Sequence, residues 1–200
     1  MSRRLEFFFD YGSPYSYLAD TQLPRLRNRT GADVVFRPML LGGVFKATGN
    51  RSPAFEPVEA KRAYGGVDMR RWIAHYGAPF TFNPHFPIDT LPIMRACVAA
   101  QRGGAFDAFH RAVYPAFWVE GLDLGDEAVF AGVLERSGLD GAGILERSRD
   151  AEVKQELRST TDEAVARGAF GAPTFFVGDE MFFGADRLPF VERALEAQPR

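Results

Sequence analysis

"FFFDYGSPYSYLA", residues 7–19, decides the fold of this chain because it joins two local patterns without a linker. Leu5 to Asp10 form a short, aromatic-rich apolar run without helical period, which is typical of a strand buried on both faces. Ser13 is a preferred N-cap residue, and Pro14 stands at the first helical position, where its missing N–H costs nothing. The stretch therefore predicts a strand that passes directly into a helix.

The predicted helix is amphipathic and leads to a second strand. Its apolar side chains recur at helical spacing, at Tyr15, Leu18, Ala19, Leu23 and Leu26. Pro24 is expected to kink or restart this helix, and Gly31 to end it. "DVVFRPM", residues 33–39, then has strand character. The first part of the chain is thus predicted to be a βαβ unit.

The middle of the chain has a helical pattern. Helices are predicted near residues 56–77, 92–103, 105–117, 126–137, 141–148 and 150–167. The stretch 78–92 carries four prolines and is predicted to be an irregular linker.

Strand character returns after Gly168. "APTFFV", residues 172–177, is followed by a Gly178-Asp179 turn signal and a partner strand from Met181 to Phe183. Asp186 is expected to cap a last helix that runs to about Glu196. The order is therefore βαβ, a helical block, then ββα, which is an α/β fold class.

Composition excludes several classes of protein. The chain of 200 residues has 26 acidic and 24 basic residues, so no general basic field is available for nucleic acid or an anionic membrane surface. No apolar run approaches the roughly 20 residues of a membrane span, and Glu6 and Asp10 interrupt any signal-peptide pattern. A cytoplasmic protein with a small-molecule partner is expected. Cys97, the single cysteine, excludes an internal disulfide and is expected to be buried packing.

Several motifs together resemble a known family. They are "FDYGSPYSYLA", "GNRSP", "HFPIDTLPIMRA", "FGAPTFF" and "FFGADRL". Their order resembles the 2-hydroxychromene-2-carboxylate isomerases and the related kappa-class glutathione transferases of the disulfide oxidoreductase superfamily. The resemblance implies a thioredoxin-like fold formed by residues 1–40 and 168–200, with residues 41–167 as a helical insertion domain between the βαβ and ββα halves.

Ser13 is the predicted catalytic residue. A helix start presents unpaired N–H groups and partial positive charge, which favour a bound anion by about 0.3–1 kcal/mol. A cysteine here would itself be the thiolate; a serine hydroxyl does not ionise at neutral pH, but it can donate to the sulfur of another molecule. The alternative is a plain N-cap. An esterase nucleophile is excluded because Tyr11 and Tyr15 occupy the places where that elbow has glycine.

Ser16 occupies the second cysteine position of a Cys-x-x-Cys motif, so dithiol exchange is lost. Its own hydroxyl is expected to bond backward to a helix carbonyl. The histidines, His75, His85 and His110, lack metal-ligand spacing and are expected to be structural, so no metal site is predicted.

The resemblance implies that glutathione is the cofactor. The implied binding residues are Ser13, Pro14, Tyr15, Lys46, Asn50, Ala172, Pro173, Ala185 and Asp186. Pro173 is expected to follow a cis peptide bond and to expose the backbone of Ala172 to the cysteine of glutathione. Asn50 would contact the ligand backbone, and Ala185 with Asp186 the γ-glutamyl end. Lys46 either neutralises a ligand carboxylate or is a solvated lysine.

The implied function is glutathione-dependent isomerisation of a 2-hydroxychromene-2-carboxylate to the trans-o-hydroxybenzylidenepyruvate form. The alternatives are a kappa-class transferase or peroxidase, and a noncatalytic thioredoxin-like binding module. A small aromatic carboxylate and a second copy of the chain in a homodimer are the expected partners. Candidates for an aromatic pocket are Tyr15, Tyr17, Phe45, Phe82 and Trp118, and Asn83 with His85 either border that pocket or stabilise their loop.

Overall fold

A mixed sheet lies at the centre of the fold. In a computed structural model, residues 3–198 are described, so the predicted domain limits at residues 1 and 200 lie outside them. The strands are β1 (Arg4–Phe9), β2 (Asp33–Pro38), β3 (Thr174–Val177) and β4 (Glu180–Phe183). The sheet order is β2-β1-β3-β4, with β1 parallel to β2 and antiparallel to β3, and β4 antiparallel to β3. The predicted strands are confirmed, with ends that differ by one or two residues.

Helices occupy most of the remaining described chain. They are α1 (Pro14–Asp20), α2 (Leu23–Thr30), α3 (Leu41–Thr48), α4 (Glu59–Tyr76), α5 (Leu91–Arg102), α6 (Phe106–Trp118), α7 (Glu127–Arg136), α8 (Gly141–Arg147), α9 (Ala151–Ala166) and α10 (Leu188–Ala197). The six helices predicted between residues 56 and 167 are confirmed, as is the irregular segment before α5.

The first predicted helix is divided in two. α1 ends after only seven residues, and α2 begins at Leu23 with Pro24 in its first turn. Because proline has no N–H to bond to the preceding turn, it is tolerated at a helix start and not in a helix interior. Of the two expectations for Pro24, a restart is correct.

Two helix starts differ from the sequence prediction. α3 was not expected, since its sequence "LGGVFKAT" contains two glycines, which disfavour helix. It forms where Val44 is buried and the helix packs against α9. At the other end of the chain, Asp186 does not cap α10. It lies inside a 3-10 turn, Ala185–Arg187, that precedes the helix, and Arg187 holds the N-cap position.

One apolar core joins the sheet to the helical insertion. Phe7 of β1 stacks on Phe175 of β3 with ring centroids 5.2 Å apart. The same cluster of buried side chains includes Phe109 and Trp118 of α6. Phe8 faces the opposite side of β1, into a second cluster under α3 and α9. β1 is therefore buried on both faces, as predicted.

No helix between residues 3 and 198 is long and apolar enough to cross a membrane. Within the same residues, no group of three or more metal-ligating side chains is close enough to hold a metal ion.

Candidate active site

Ser13 lies at the start of α1 and faces the loop before β3. Its hydroxyl donates to the carbonyl oxygen of Ala172 at 3.1 Å and accepts from the N–H of Ser16 at 3.1 Å. The side chain is the N-cap of α1 and is 3 % exposed. Ser13 therefore caps its helix and also reaches the backbone of a segment 159 residues away.

The Ala172–Pro173 peptide bond is cis, as the resemblance implies. The Pro173 carbonyl accepts from the N–H of Gly184, which places the turn after β4 against the same loop. A second cis bond, Phe86–Pro87, was not predicted. The N-cap of α1, the Ala172 carbonyl and the turn that begins at Gly184 are thus brought together.

Asn50 also reaches the loop before β3. Its Nδ2 donates to the carbonyl oxygen of Phe170 at 2.8 Å, and its Oδ1 accepts from the N–H of Arg51. The side chain is exposed. Asn50 therefore links the segment after α3 to the loop that carries Ala172 and Pro173.

Tyr76 is a site residue that the sequence did not single out. Its hydroxyl donates to the carbonyl oxygen of Ala185 at 2.7 Å, across 109 residues of sequence. Burial, with Asp186 nearby, raises the pKa of Tyr76 to about 12. The hydroxyl therefore stays protonated and holds the 3-10 turn in place. Asp186 itself pairs with Arg187.

Tyr15 follows Pro14 in the first turn of α1, and both are half-buried. Burial, with Asp68 and Asp186 nearby, raises the pKa of Tyr15. Asp68 lies on α4 and was not singled out in the sequence. α1, which carries Tyr15, packs against the 3-10 turn that contains Asp186.

Lys46 is not brought into the cluster around Ser13. It lies exposed on α3, and within residues 3–198 it makes no ion pair or side-chain hydrogen bond that ties it to that cluster. The solvated alternative describes its position in this structure.

The structure bears on the expectations for several other residues. Ser16 Oγ is buried and has no hydrogen-bond partner among the described residues, so its predicted bond to a helix carbonyl is wrong. Tyr17 and Trp118 are core side chains, with exposures of 5 % and 1 %, and do not line an open pocket. Asn83 donates to the carbonyls of Phe117 and Leu122, which makes it a loop-stabilising residue.

His110 lies in a buried cluster of polar side chains. Its Nδ1 is 2.7 Å from the Tyr11 hydroxyl, and its Nε2 is 2.9 Å from Asp20 Oδ1. Cys97 lies beside the same hydroxyl, with its Sγ 3.9 Å away. Burial raises the pKa values of Tyr11 and Cys97 well above their usual values. The cluster is an internal polar network behind α1, and it holds Tyr11 close to the turn that carries Ser13.

Fold and site together define a class: a thioredoxin-like protein with a helical insertion, a cis-proline loop, and serine in place of the first cysteine. A family model described as the DSBA-like thioredoxin domain matches residues 4–196. A 2-hydroxychromene-2-carboxylate isomerase of Sphingobium xenophagum is 36% identical over 195 residues, 98% of this chain and 99% of the relative. The chain belongs to the DSBA-like thioredoxin family and, within it, to the family of the 2-hydroxychromene-2-carboxylate isomerases.

Two further comparisons agree. Glutathione S-transferase kappa 1 of Homo sapiens is 28% identical over 213 residues, 98% of this chain and 92% of the relative. A solved structure of a 2-hydroxychromene-2-carboxylate isomerase superposes with a TM-score of 0.83 at 30% identity and covers 96% of this chain and 94% of its own. The family and the thioredoxin-like fold predicted from the motifs are confirmed.

Proposed function

We propose that this protein is a glutathione-dependent isomerase that interconverts 2-hydroxychromene-2-carboxylate and trans-o-hydroxybenzylidenepyruvate-type compounds. The observation that carries the proposal is the Ser13 hydroxyl, held between the Ala172 carbonyl and the Ser16 N–H. The names of the isomerase relatives support the reaction, and the kappa-class relative supports glutathione as the cofactor.

The residues present fit glutathione. The Ala172 carbonyl receives a side-chain donor rather than a strand partner, so a peptide N–H can replace that donor. Asn50 and the turn at Ala185 and Asp186 flank the same loop from two sides. Bound glutathione would supply a thiolate that adds reversibly to the conjugated substrate, permits rotation about the former double bond and leaves unchanged.

Ser13 would hold the sulfur by a change of hydrogen-bond partner. A hydroxyl has one hydrogen, and in this structure that hydrogen points to the Ala172 carbonyl. Once the ligand N–H occupies this carbonyl, the Ser13 hydroxyl can turn to donate to the sulfur anion. α1 has only seven residues, so the hydroxyl and the Ser16 N–H carry more of the stabilisation than the helix dipole does.

The proposal is tested by Ser13→Ala, with Ser16→Ala as the matched control. A hydrogen bond to a charged group contributes about 1.5–3 kcal/mol, so Ser13→Ala should raise the bound thiol pKa by about 1–2 units and lower kcat/KM about 10–100-fold. Ser16→Ala removes a hydroxyl that has no partner and should leave both unchanged. Equal behaviour of the two variants in isomerase turnover and thiol absorbance would contradict the role of Ser13.

Conjugation to glutathione is the second candidate, supported by the kappa-class relative. An isomerase leaves the total thiol concentration constant during turnover, whereas a transferase or a peroxidase consumes it. Thiol titration during turnover separates these reactions. A protein that binds glutathione and turns over neither type of substrate would be a binding module.

Lys46 is proposed to steady the negative charge that develops on the substrate. Its exposed ammonium on α3, outside the cluster around Ser13, would pair with the carboxylate or enolate of a substrate that extends toward α3. Lys46→Ala should then raise the KM for the carboxylate substrate, while Lys154→Ala, an exposed lysine on α9, should not. An unchanged KM in Lys46→Ala would leave it a solvated lysine.

We also propose that the protein is a cytoplasmic homodimer. Exposed Phe170, Phe183 and Phe190 border the edge strand β4, and a second copy would bury such a patch. The cytoplasm holds glutathione reduced, in keeping with a chain whose single cysteine is a buried thiol. Light scattering after size-exclusion chromatography distinguishes the dimer from a monomer of 22.2 kDa.

A further inference from the structure

Asp10 is a fully buried carboxylate at the end of β1, three residues before Ser13. Its Oδ1 accepts from the Gly12 N–H at 2.8 Å. Its Oδ2 accepts from the Leu41 N–H at 2.8 Å and from the Thr90 hydroxyl at 3.0 Å. The Asp10 carbonyl also accepts from the N–H of Ser13. One side chain thus joins three separate segments next to the proposed catalytic residue.

Two of the three segments that Asp10 joins lead to residues of the proposed glutathione site. The Gly12 turn leads into Ser13, and Leu41 begins α3, the helix that carries Lys46 and leads to Asn50. Thr90 is the N-cap residue of α5. Two of the three partners are backbone N–H groups, which can only donate, so an ionised carboxylate, which only accepts, satisfies all three bonds as they stand; the O–H of a protonated carboxyl would have only the Thr90 hydroxyl as an acceptor, and that hydroxyl would have to stop donating.

Among residues 3–198, Asp10 has no cation to compensate its charge. The titratable groups that face it are Asp89 in the segment before α5, Cys97 on α5 and Tyr114 on α6. Within residues 3–198, no basic side chain lies within ion-pair distance of it. Hydrogen bonds alone therefore hold the charge, and that charge cannot favour a nearby sulfur anion. Its contribution to the site is geometric.

We propose that Asp10 is a positioning residue for the glutathione site: its ionised carboxylate fixes the Gly12 turn against the starts of α3 and α5 and so keeps Ser13 in register with the segments that flank the ligand. The inference rests on the proposed function. Asp10 is fully buried, so it would act on a bound ligand only through the segments that it holds.

This arrangement makes ligand binding depend on pH. Burial raises the pKa of Asp10 from 3.8 to about 6, although the hydrogen bonds from Leu41, Gly12 and Thr90 oppose the rise. Below that pH the carboxyl gains a proton, so the Gly12 and Leu41 N–H groups lose a charged acceptor and the Thr90 hydroxyl must turn from donor to acceptor. The raised pKa also means that ionisation of Asp10 in the folded protein reduces its stability as the pH rises from about 4 to about 6.

The test uses S-methylglutathione as the probe, because it has no thiol to titrate. Its dissociation constant and the melting temperature are measured from pH 5 to pH 8 for the wild type, Asp10→Asn and Thr90→Val. Asp179→Asn, which removes an exposed charge in the β3–β4 turn, is the charge-matched control. Thr90→Val keeps the inference testable if Asp10→Asn does not fold.

In the wild type, affinity should fall about tenfold as the pH decreases through about 6. Asp10→Asn should bind at least tenfold more weakly at pH 7, since its amide faces one N–H with a donor, and should lose the pH transition. Thr90→Val removes a bond that lowers the pKa of Asp10, so its transition should move to higher pH. The melting temperature of Asp10→Asn relative to wild type should increase between pH 5 and pH 7.

Wild-type affinity in Asp10→Asn at pH 7, or an unmoved transition in Thr90→Val, overturns the positioning role while leaving the proposed function intact. Absence of S-methylglutathione binding to the wild type at every pH overturns both. The relative melting temperatures report the ionisation of Asp10 without any ligand, so the two failures are distinguishable.

Discussion

The thiol of Cys97 and a thiol introduced at position 13 should differ in their reactivity toward alkylating reagents. Cys97 is fully buried, and burial raises its pKa, so its thiol should not react in the folded state. A thiol introduced by Ser13→Cys would instead accept the Ser16 N–H that Ser13 now accepts, which favours the thiolate.

We expect iodoacetamide to label Ser13→Cys once at neutral pH under native conditions and to leave the wild type unlabelled. In guanidinium chloride, the wild type should take one label and the variant two. Mass spectrometry counts the labels. Native labelling of the wild type would contradict the burial of Cys97. A thiol in Ser13→Cys whose rate of labelling rises with pH as that of an ordinary cysteine does would contradict the donor environment.

Tyr76 should contribute to ligand affinity through the backbone of the 3-10 turn. Tyr76→Phe removes the donor to the Ala185 carbonyl at the cost of about 0.5–1.5 kcal/mol and should raise the glutathione dissociation constant several-fold. The control is Tyr64→Phe on the same helix, at a side chain that is 60% exposed. Calorimetric titration compares the affinities of the two variants for glutathione. Equal affinities would contradict a role of Tyr76 in binding the γ-glutamyl end of the ligand.

At the scale of elements, the close approach of the Gly12 turn to the start of α5 depends on the absence of a side chain. A Cβ at Gly12 would lie 2.5 Å from Cγ2 of Thr90. Gly12→Ala should therefore destabilise the protein by about 1–3 kcal/mol, the usual cost of overpacking. Because Thr90→Ser keeps the hydroxyl bonded to Asp10 and removes only the methyl group, the double variant should regain most of this loss.

Denaturant unfolding of the four proteins in that cycle measures the rescue. Additive losses in the double variant would mean that the contact between Gly12 and Thr90 is not the cause. Retention of S-methylglutathione affinity by Thr90→Ser, in contrast to Thr90→Val, would show that the hydroxyl, not the methyl group, serves the site.

Some elements can be predicted from local sequence and others cannot. β1, the turn at Ser13 and the β3–β4 hairpin are predictable because their residues carry their own strand, cap and turn signals. α3 is not, since "LGGVFKAT" has weak helix propensity and the helix depends on its packing against α9. The bonds from Asp10 to Leu41 and Thr90 join residues 31 and 80 positions apart, and no local pattern encodes them.

At the scale of the whole molecule, the sheet and the helical insertion share one apolar core. The main apolar cluster takes side chains from both, among them Phe175 of β3 and Phe130 of α7. An ionic network joins them as well, since Glu6 of β1 contacts Arg167, and Arg167 contacts Glu163 of α9. The boundaries at residues 40 and 168 therefore mark where the chain leaves and re-enters the sheet. Because the two parts share one core, we do not expect either part to fold independently.

We therefore expect a single unfolding transition. Phe130→Ala in the insertion and Phe175→Ala in the sheet each remove a fully buried ring at a cost of about 3–5 kcal/mol, and each should lower the same melting temperature by roughly 10 °C. Phe55→Ala, at a side chain that is 67% exposed, should change it little. Calorimetry with a ratio of calorimetric to van't Hoff enthalpy near one would support this cooperativity. Two transitions, each moved by only one of the core variants, would show instead that the insertion folds as a separate unit, and the Asp10 bonds would then cross between two bodies rather than lie inside one.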